Sequence, residues 1–310
     1  MPRLIVIRPG MLTTIQDLGR WGHQASGVPV AGPMDVYSHR RANRLVGNRD
    51  DAAALEVTLI GPELEADADV VCAVTGAEFQ IDAGGTPIVR DEPFTVPAGA
   101  RLRFGRRLAG ARASLAVRGG LDVPCVFGSC ATSLISGMGP LGGRALRAGD
   151  VLMTGAAPTD APDRAGESAP LRLPQGGARL RVMPGPHRHM FTTEAYDRLF
   201  GSRYTVTPDS NRMGYRLAGP ALTHAAGADI LSDATPIGSL QVPGSGLPIL
   251  LMADRQTTGG YPKIGTVITA DLPLAGQLAP GDWIEFAACS RQAAIDALAQ
   301  QERALERARR

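Results

Sequence analysis

Short apolar runs, most of them ended by glycine, proline or Asp/Asn clusters, set the pattern of this chain. RLIVIR, ALEVTLI, DVVCAVTG, RLRFG, ASLAVRG, DVLMTG, RLRVMPG, PILLMAD, TVITADL and DWIEFA all read as strands. Many short strands between turn signals predict a mainly β fold of barrels or sandwiches. Three segments read instead as helices. Residues 36–46 follow Asp35 as N-cap and stop at Gly47, and residues 290–308 open on Ser290 with Ile295, Leu298 and Leu305 at helical spacing. The third, 192–200, lies behind Thr192 or Thr193.

APTDAPDRAGESAPLRLPQGG, 157–177, has neither period and is rich in Pro, Ala, Gly and charge, which marks a linker. The expected division is an N-terminal β domain over 1–156, a C-terminal β domain over 178–288 and a helix over 289–310. GRALRAGDVLMTG (143–155) and GQLAPGDWIEFA (276–287) each place Gly-Asp before a strand, so the two domains are expected to share a closing turn.

Composition narrows the class. Thirty-eight glycines and 24 prolines in 310 residues favour a turn-rich β chain, and 44% hydrophobic with 20% charged residues is globular usage. A net charge of +2 gives no reason to expect nucleic acid or an anionic membrane as partner. No apolar stretch approaches the ~20 residues of a membrane span, and MPRLIVIRPG lacks a cleavage-site pattern. A soluble, cytoplasmic, reducing setting is therefore expected. Cys72, Cys125, Cys130 and Cys289 have no metal-ligand spacing and read as small buried thiols. The five histidines form no metal set either, so no metal is expected.

The candidate chemistry gathers in LLMADRQTTGGYPKIGTVITADL, 250–272. Residues 247–253 read as a strand buried on both faces and TVITADL as the strand that follows, so the polar run between them emerges from a core. Gly259 and Gly260 are expected to adopt backbone angles closed to other residues and to bring amide N–H groups close to a ligand. Gln256, Thr257, Thr258 and Tyr261 add hydrogen-bonding groups. Lys263 is the single lysine among 32 basic residues, a compact point charge where the rest of the chain uses arginine. GGYPKIG lacks the Walker spacing, so donors aimed at a small carbonyl, amide or carboxylate are the better reading.

Two further stretches are candidates. PDSNRMGYRL, 208–217, offers Asn211 and Arg212 for an anionic group, or a turn in which Asp209 and Asn211 bond local backbone. In TTIQDLGRWGHQASGVPVAGPMD, 13–35, an Asp17–Arg20 pair is expected to hold a loop.

These stretches, with ANRLVGN and PGPH, resemble the family of 5-oxoprolinase C subunits, also called the allophanate hydrolase subunit 2 or biotin-dependent carboxyltransferase family, from about residue 3 to about 287. The resemblance implies two cyclophilin-like β-barrel domains and a partner, a kinase-inhibitor-like protein that corresponds to the 5-oxoprolinase B subunit. It implies action with a lactam-utilisation protein, the A subunit, in ATP-dependent opening of 5-oxoproline to glutamate. The alternatives are a urea-carboxylase-like carboxyltransferase using carboxybiotin, and a non-enzymatic antagonist of a kinase inhibitor. It places the catalytic work at Lys263, Tyr261 and Gln256, and binding of a small amide substrate at Asn211, Arg212, Arg255, Thr257, Thr258, Gly259 and Gly260. Where Ser-Asp-Arg-Met-Gly is expected the chain has Asn211, which removes a possible base. No nucleotide motif and no Met-Lys-Met biotin site occur, so ATP and carboxybiotin chemistry are expected on other polypeptides.

Overall fold

Alternating burial builds the sheets, as the apolar runs predict. The computed structural model describes residues 1–157 and 169–306, which cluster as 1–20, 31–157, 169–173 and 302–306 in a first unit and 21–30 with 174–301 in a second. Residues 158–168 of the expected linker and 307–310 of the expected C-terminal helix segment lie outside the described residues. The partition departs from a contiguous split at two places, because 21–30 goes with the second unit and 302–306 with the first.

The first unit holds β1 (Arg3–Arg8), β2 (Leu12–Gln16), β3 (Ala54–Thr58), β4 (Glu63–Ala66), β5 (Val70–Ala83), β6 (Thr86–Pro87), β7 (Pro93–Val96), β8 (Arg101–Val117) and β9 (Val151–Met153). They form one nine-stranded sheet in the order β2-β3-β8-β4-β1-β9, with β5 joining β8, β6 and β7. The runs RLRFG and ASLAVRG fuse into the single 17-residue β8, which pairs with β5 from Cys72↔Val117 to Ala83↔Leu102 through three register shifts. Leu4, Val6, Leu55, Leu64, Leu102 and Leu115, each at most 1% exposed, fill the core.

Helix Val36–Leu45 is capped as expected, Asp35 accepting from the Ser38 N–H. It buries His39, which lies within hydrogen-bond distance of the Asn43 carboxamide (3.2 Å). Burial pushes the His39 imidazole down to about 4, so the folded state holds it neutral while the unfolded chain takes a proton near 6.5. The contribution to stability is complete above pH 6.5 and lost as pH falls toward 4, an expected loss of about 3 kcal/mol. Urea unfolding of a His39→Gln variant checks it, because that variant's curve should lack this part of the acid decline.

The second unit closes. β10 (Gly177–Pro184), β11 (Arg203–Val206), β12 (Gly214–Ala218), β13 (Asp233–Ala234), β14 (Ser239–Gln241), β15 (Ile249–Leu251), β16 (Thr258–Gly259), β17 (Lys263–Val267) and β18 (Trp283–Ala288) follow one another. Seven of them make a barrel in the order β10-β17-β14-β15-β12-β11-β18, sealed by the parallel β10–β18 pair. The described residues are thus mainly β, with one closed barrel and one sheet that shows no closing pair from β9 to β2. Leu180, Tyr204, Tyr215, Leu240, Leu250, Ile284 and Phe286 are buried in this unit. Helices Thr193–Gly201, capped by the Thr192 hydroxyl, and Arg291–Glu306, where Ser290 Oγ accepts from Ala293, complete the expected set.

The closing-turn expectation holds in detail. Asp150 accepts from the Arg147 N–H at 2.7 Å, and Asp282 accepts from the Ala279 N–H at 2.8 Å. Each turn's glycine, Gly149 or Gly281, takes a left-handed φ of +87° or +95° and donates to a strand carbonyl, Val6 or Val206.

Two readings are corrected, and the expected loop support gains its partners. Cys125 and Cys130 are joined in a disulfide, Cys125 being exposed, whereas Cys72 and Cys289 are the buried free thiols. TVITADL is not a strand throughout: β17 begins at Lys263 and ends at Val267. The chain then turns helical because Asp271 leaves the sheet to accept three hydrogen bonds from Arg181, at 2.6–3.0 Å. Asp17 and Arg20 both fasten the 126–131 loop, Asp17 through Ser129 Oγ and the Cys130 N–H (both 2.6 Å), and Arg20 through the carbonyls of Val126 and Ala131.

Candidate functional site

Strand register in the barrel dictates where the site can form. Gln241 pairs with Ile249, and Ile249 with Arg216, so these three side chains form one row across β14, β15 and β12. The neighbouring row, Leu240, Leu250 and Tyr215, is at most 1% exposed and fills the interior, so the Gln241 row faces outward. Over that outer face lies a cavity of about 200 Å³ lined by Gln241, Ile249, Leu251, Gly214, Arg216, Met213, Asn211, Asp209, Gln256 and Tyr261.

Gln241 is the central group. It is 1% exposed, its Oε1 accepts from Gln256 Nε2 at 3.2 Å, and its own Nε2 has no hydrogen-bond partner among the described residues. A buried amide donor left unmade costs about 1–3 kcal/mol, so Gln241, which lines this cavity, holds a donor still without an acceptor. Gly259 packs against the same carboxamides: a Cβ there would lie 2.6 Å from Gln241 Nε2 and 3.2 Å from Gln256 Nε2. The reason for glycine is this close approach. The expected unusual backbone is absent, for neither Gly259 nor Gly260 has a positive φ.

A short ribbon supports the cavity wall. β13 pairs with β16 through Asp233↔Gly259 and Ala234↔Thr258. Thr235 donates its N–H to the Thr257 carbonyl at 3.1 Å and its hydroxyl to the Gln256 carbonyl, and Ile230 donates to the Gly260 carbonyl. Arg255 is 8% exposed and donates Nε to the Thr235 carbonyl at 2.7 Å. Burial pulls its guanidinium down to about 10.

Lys263 also serves this ribbon. Its ammonium, 2% exposed, donates to Asp233 Oδ2 at 2.6 Å and to the Ala234 carbonyl at 2.7 Å. The Lys263 hydrogen bond holds the Asp233 carboxyl below its usual range, with the Ala234 N–H assisting. The Lys263 backbone N–H donates to His187 Nδ1 at 3.1 Å, and burial, then the Lys263 charge, lowers the His187 imidazole. That ring is therefore neutral at pH 7 and free to accept.

The structure brings Asn211, Gln256 and Tyr261 to the cavity, but it spends the other expected groups elsewhere. Arg212, expected to hold an anionic group, is 4% exposed and grips Asp254 with two bonds of 3.0 Å. Lys263, expected to face substrate, anchors Asp233–Ala234. Thr257 and Thr258 contribute their backbones to the ribbon. Asn211 uses Oδ1 to accept from the Met213 N–H at 2.8 Å, the local turn bond. Sequence reasoning missed Gln241, Arg216, Asp233 and Thr235. Only Gln241 left a signal, a lone amide between Leu240 and Val242 in a strand.

Comparison with known proteins places these elements. The family model described as "Carboxyltransferase domain, subdomain A and B" matches residues 26–288. The chain is 41% identical to the 5-oxoprolinase C subunit of Escherichia coli over 98% of its own length and 96% of that protein. The crystal structure of the K. lactis urea amidolyase superposes with a TM-score of 0.94 at 34% identity, covering 99% of this chain and 20% of that one. The crystal structure of TTHA0988 superposes with a TM-score of 0.83 at 39% identity, covering 93% of this chain and 56% of that one.

Proposed function

Since the chain belongs to the carboxyltransferase-domain family with subdomains A and B, we propose that it is the component of an ATP-dependent 5-oxoprolinase that holds the small amide substrate. It acts with the kinase-inhibitor-like B subunit and the lactam-utilisation A subunit. One observation carries the reading: Gln241, which lines the cavity, keeps a buried Nε2 donor with no hydrogen-bond partner among the described residues. A cavity of about 200 Å³ is smaller than the roughly 300–1,000 Å³ of sites for drug-sized ligands and suits a molecule of few heavy atoms. A lactam carbonyl would accept from Gln241, and Gln256 and Tyr261 would orient the ring.

The choice of 5-oxoproline over urea rests on Arg216. Its guanidinium has no carboxylate partner among the described residues, and it lines the cavity in the Gln241 row. A substrate carboxylate would pair with it, and urea has none. In this geometry the ligand is held at both ends, carbonyl on the carboxamides and carboxylate on the arginine, which is orientation of the kind that lowers a reaction barrier. Nucleotide chemistry is assigned to another polypeptide of the complex. Gly259 is committed to pairing with Asp233, and the Lys263 ammonium to Asp233 and Ala234, so this stretch does not fit a triphosphate.

Co-expression of the three proteins should give ATP-dependent glutamate release from 5-oxoproline. Arg216→Ala should raise KM about 10- to 100-fold with a smaller effect on kcat, consistent with loss of a charge-assisted contact of about 1.5–3 kcal/mol. An unchanged KM removes Arg216 from the site. The second reading, a urea-carboxylase-like carboxyltransferase fed by a carboxylated biotin carrier, is favoured by the 0.94 TM-score with urea amidolyase. Carboxylation of urea by the chain and such a carrier, with no glutamate release, would establish it instead.

A further inference from the structure

Past Arg216 the outward row of the barrel goes on. Val206 pairs with Leu217, and the Thr207 N–H donates to the Arg216 carbonyl at 2.9 Å, which carries the register one residue beyond β11. Val206 and Leu217 are at most 2% exposed, so Thr207 and Arg216 stand on the opposite, outer face. Gln241, Ile249, Arg216 and Thr207 therefore succeed one another in a single row. A second cavity, of about 210 Å³, lies over the far end of that row, with Thr207, Asp209, Arg216, Pro243, Leu247 and Ile249 among its walls. Asp209, Arg216 and Ile249 also line the cavity over Gln241, so the two adjoin.

The groups here that the barrel does not use have complementary chemistry. Thr207 Oγ1 is buried with no hydrogen-bond partner among the described residues. Among the same residues neither Arg216 nor Asp209 enters an ion pair, and the Asp209 carboxylate accepts no hydrogen bond, although both side chains border the same two cavities. An arginine and a hydroxyl donor suit the carboxylate of an α-amino acid, and a separate carboxylate suits its ammonium. Between them and Gln241 stands Ile249, an apolar bridge for methylene groups.

We propose that the two cavities together bind an open-chain α-amino acid whose side chain ends in an acceptor, as glutamate does, and that glutamate thereby competes with the lactam for the site. The proposal rests on the reading of this chain as the component that holds 5-oxoproline. Adding water across the lactam C–N bond gives a γ-carboxylate and an α-ammonium, so ring opening lengthens the molecule and creates a cation. The lactam carries no cation, and only the opened chain uses Asp209. In row order the γ-carboxylate accepts from Gln241, the methylenes cross Ile249, and the α-carboxylate accepts from Arg216 and Thr207. Gln241 and Arg216 lie two strand spacings apart, roughly 10 Å between backbones, a span that suits the opened chain better than the ring. Both molecules need Gln241 and Arg216, so they exclude one another, and Asp209 gives the product an additional hold.

Titrating L-glutamate into the intact ¹⁵N-labelled chain should move the side-chain resonances of Gln241 and Arg216, with a Kd in the roughly millimolar range. Glutarate, the same chain without the ammonium, should bind at least about 10-fold more weakly, the loss of one charge-assisted contact. Asp209→Asn should weaken glutamate at least about 10-fold more than it weakens glutarate. Asp209 is exposed, so asparagine there leaves the barrel folded. Thr207→Val, which keeps the shape and removes the hydroxyl, should weaken both ligands about 3- to 10-fold. Equal affinity for glutamate and glutarate overturns the role of Asp209, and unchanged affinities in Thr207→Val overturn the second cavity. Shifts confined to residues away from the row, or no binding at about ten times that Kd range, overturn the site. Turnover is scored separately, in the co-expressed complex with labelled 5-oxoproline. Added glutamate should raise the apparent KM, and Asp209→Asn should relieve that inhibition at least about 10-fold. Turnover that added glutamate does not inhibit sinks this inference and leaves the functional reading standing. Glutamate binding along the row with no turnover of 5-oxoproline keeps the amino-acid site and sinks the functional reading.

Discussion

Replacing Asp254 with alanine will destabilise the barrel unit by about 3–5 kcal/mol, the cost of leaving a buried charge without its partner. The side chains of Arg212 and Asp254 are 4% and 1% exposed and joined by two bonds of 3.0 Å, so water cannot replace the lost carboxylate. The backbones are coupled as well, the Asp254 N–H donating to the Arg212 carbonyl at 2.8 Å and the Met252 N–H to that of Met213. The stretch carrying Asn211 and Met213 to the cavity is thereby clamped to the end of β15. Urea denaturation followed by tryptophan fluorescence measures the loss. The double variant Arg212→Met with Asp254→Leu should recover most of it, because apolar replacement of a whole buried pair is often neutral. A loss below about 1 kcal/mol in Asp254→Ala would show that the pair contributes little.

The fold was legible wherever a local rule decided it. Asp35, Thr192 and Ser290 announced their helices because a cap needs only a side-chain oxygen three residues ahead of an N–H. The Gly-Asp turns at 149–150 and 281–282 could be read for the same reason: each is closed by bonds spanning three residues. The chemistry was less legible because pairing across the barrel decided it. Nothing near Arg212 in sequence shows that Asp254, 42 residues on, takes its guanidinium. Nor does the run around Lys263 show that Asp233, 30 residues earlier, holds its ammonium. The window 250–272 was the right place to look, but several of its polar groups build the wall of the cavity and do not line it. Arg216 and Gln241 were passed over because each is an ordinary outward residue of a strand. Only the register with Ile249 brings them into one row.

Lys263→Met should lower kcat/KM at least about 100-fold while changing stability by less than about 1 kcal/mol. The contrast with Asp254 follows from exposure. Here the charge removed is the buried member, and the carboxylate left behind is 52% exposed and can be hydrated in place. Methionine fills most of the space of the lysine stem, and its flexible side chain tolerates the exchange. What is lost is position. Without the bonds to Asp233 and Ala234, β13 is fixed mainly by its two-residue pairing with β16 and by Thr235. Thr235 in turn sets the carbonyl of Gln256, whose carboxamide holds Gln241. A drift of a fraction of an ångström along that chain would misalign the donor that, in the proposed function, meets the substrate carbonyl, and displacements of about 1 Å can cost a hundredfold in rate. Steady-state kinetics of the reconstituted complex, read beside thermal unfolding of the free chain, separates the two effects. Since Lys263 acts through its neighbours, Lys263→Arg should recover part of the activity by restoring a cation on Asp233. Full activity in Lys263→Met would remove the ribbon from the mechanism, and a collapse of stability would make the ion pair a structural support alone.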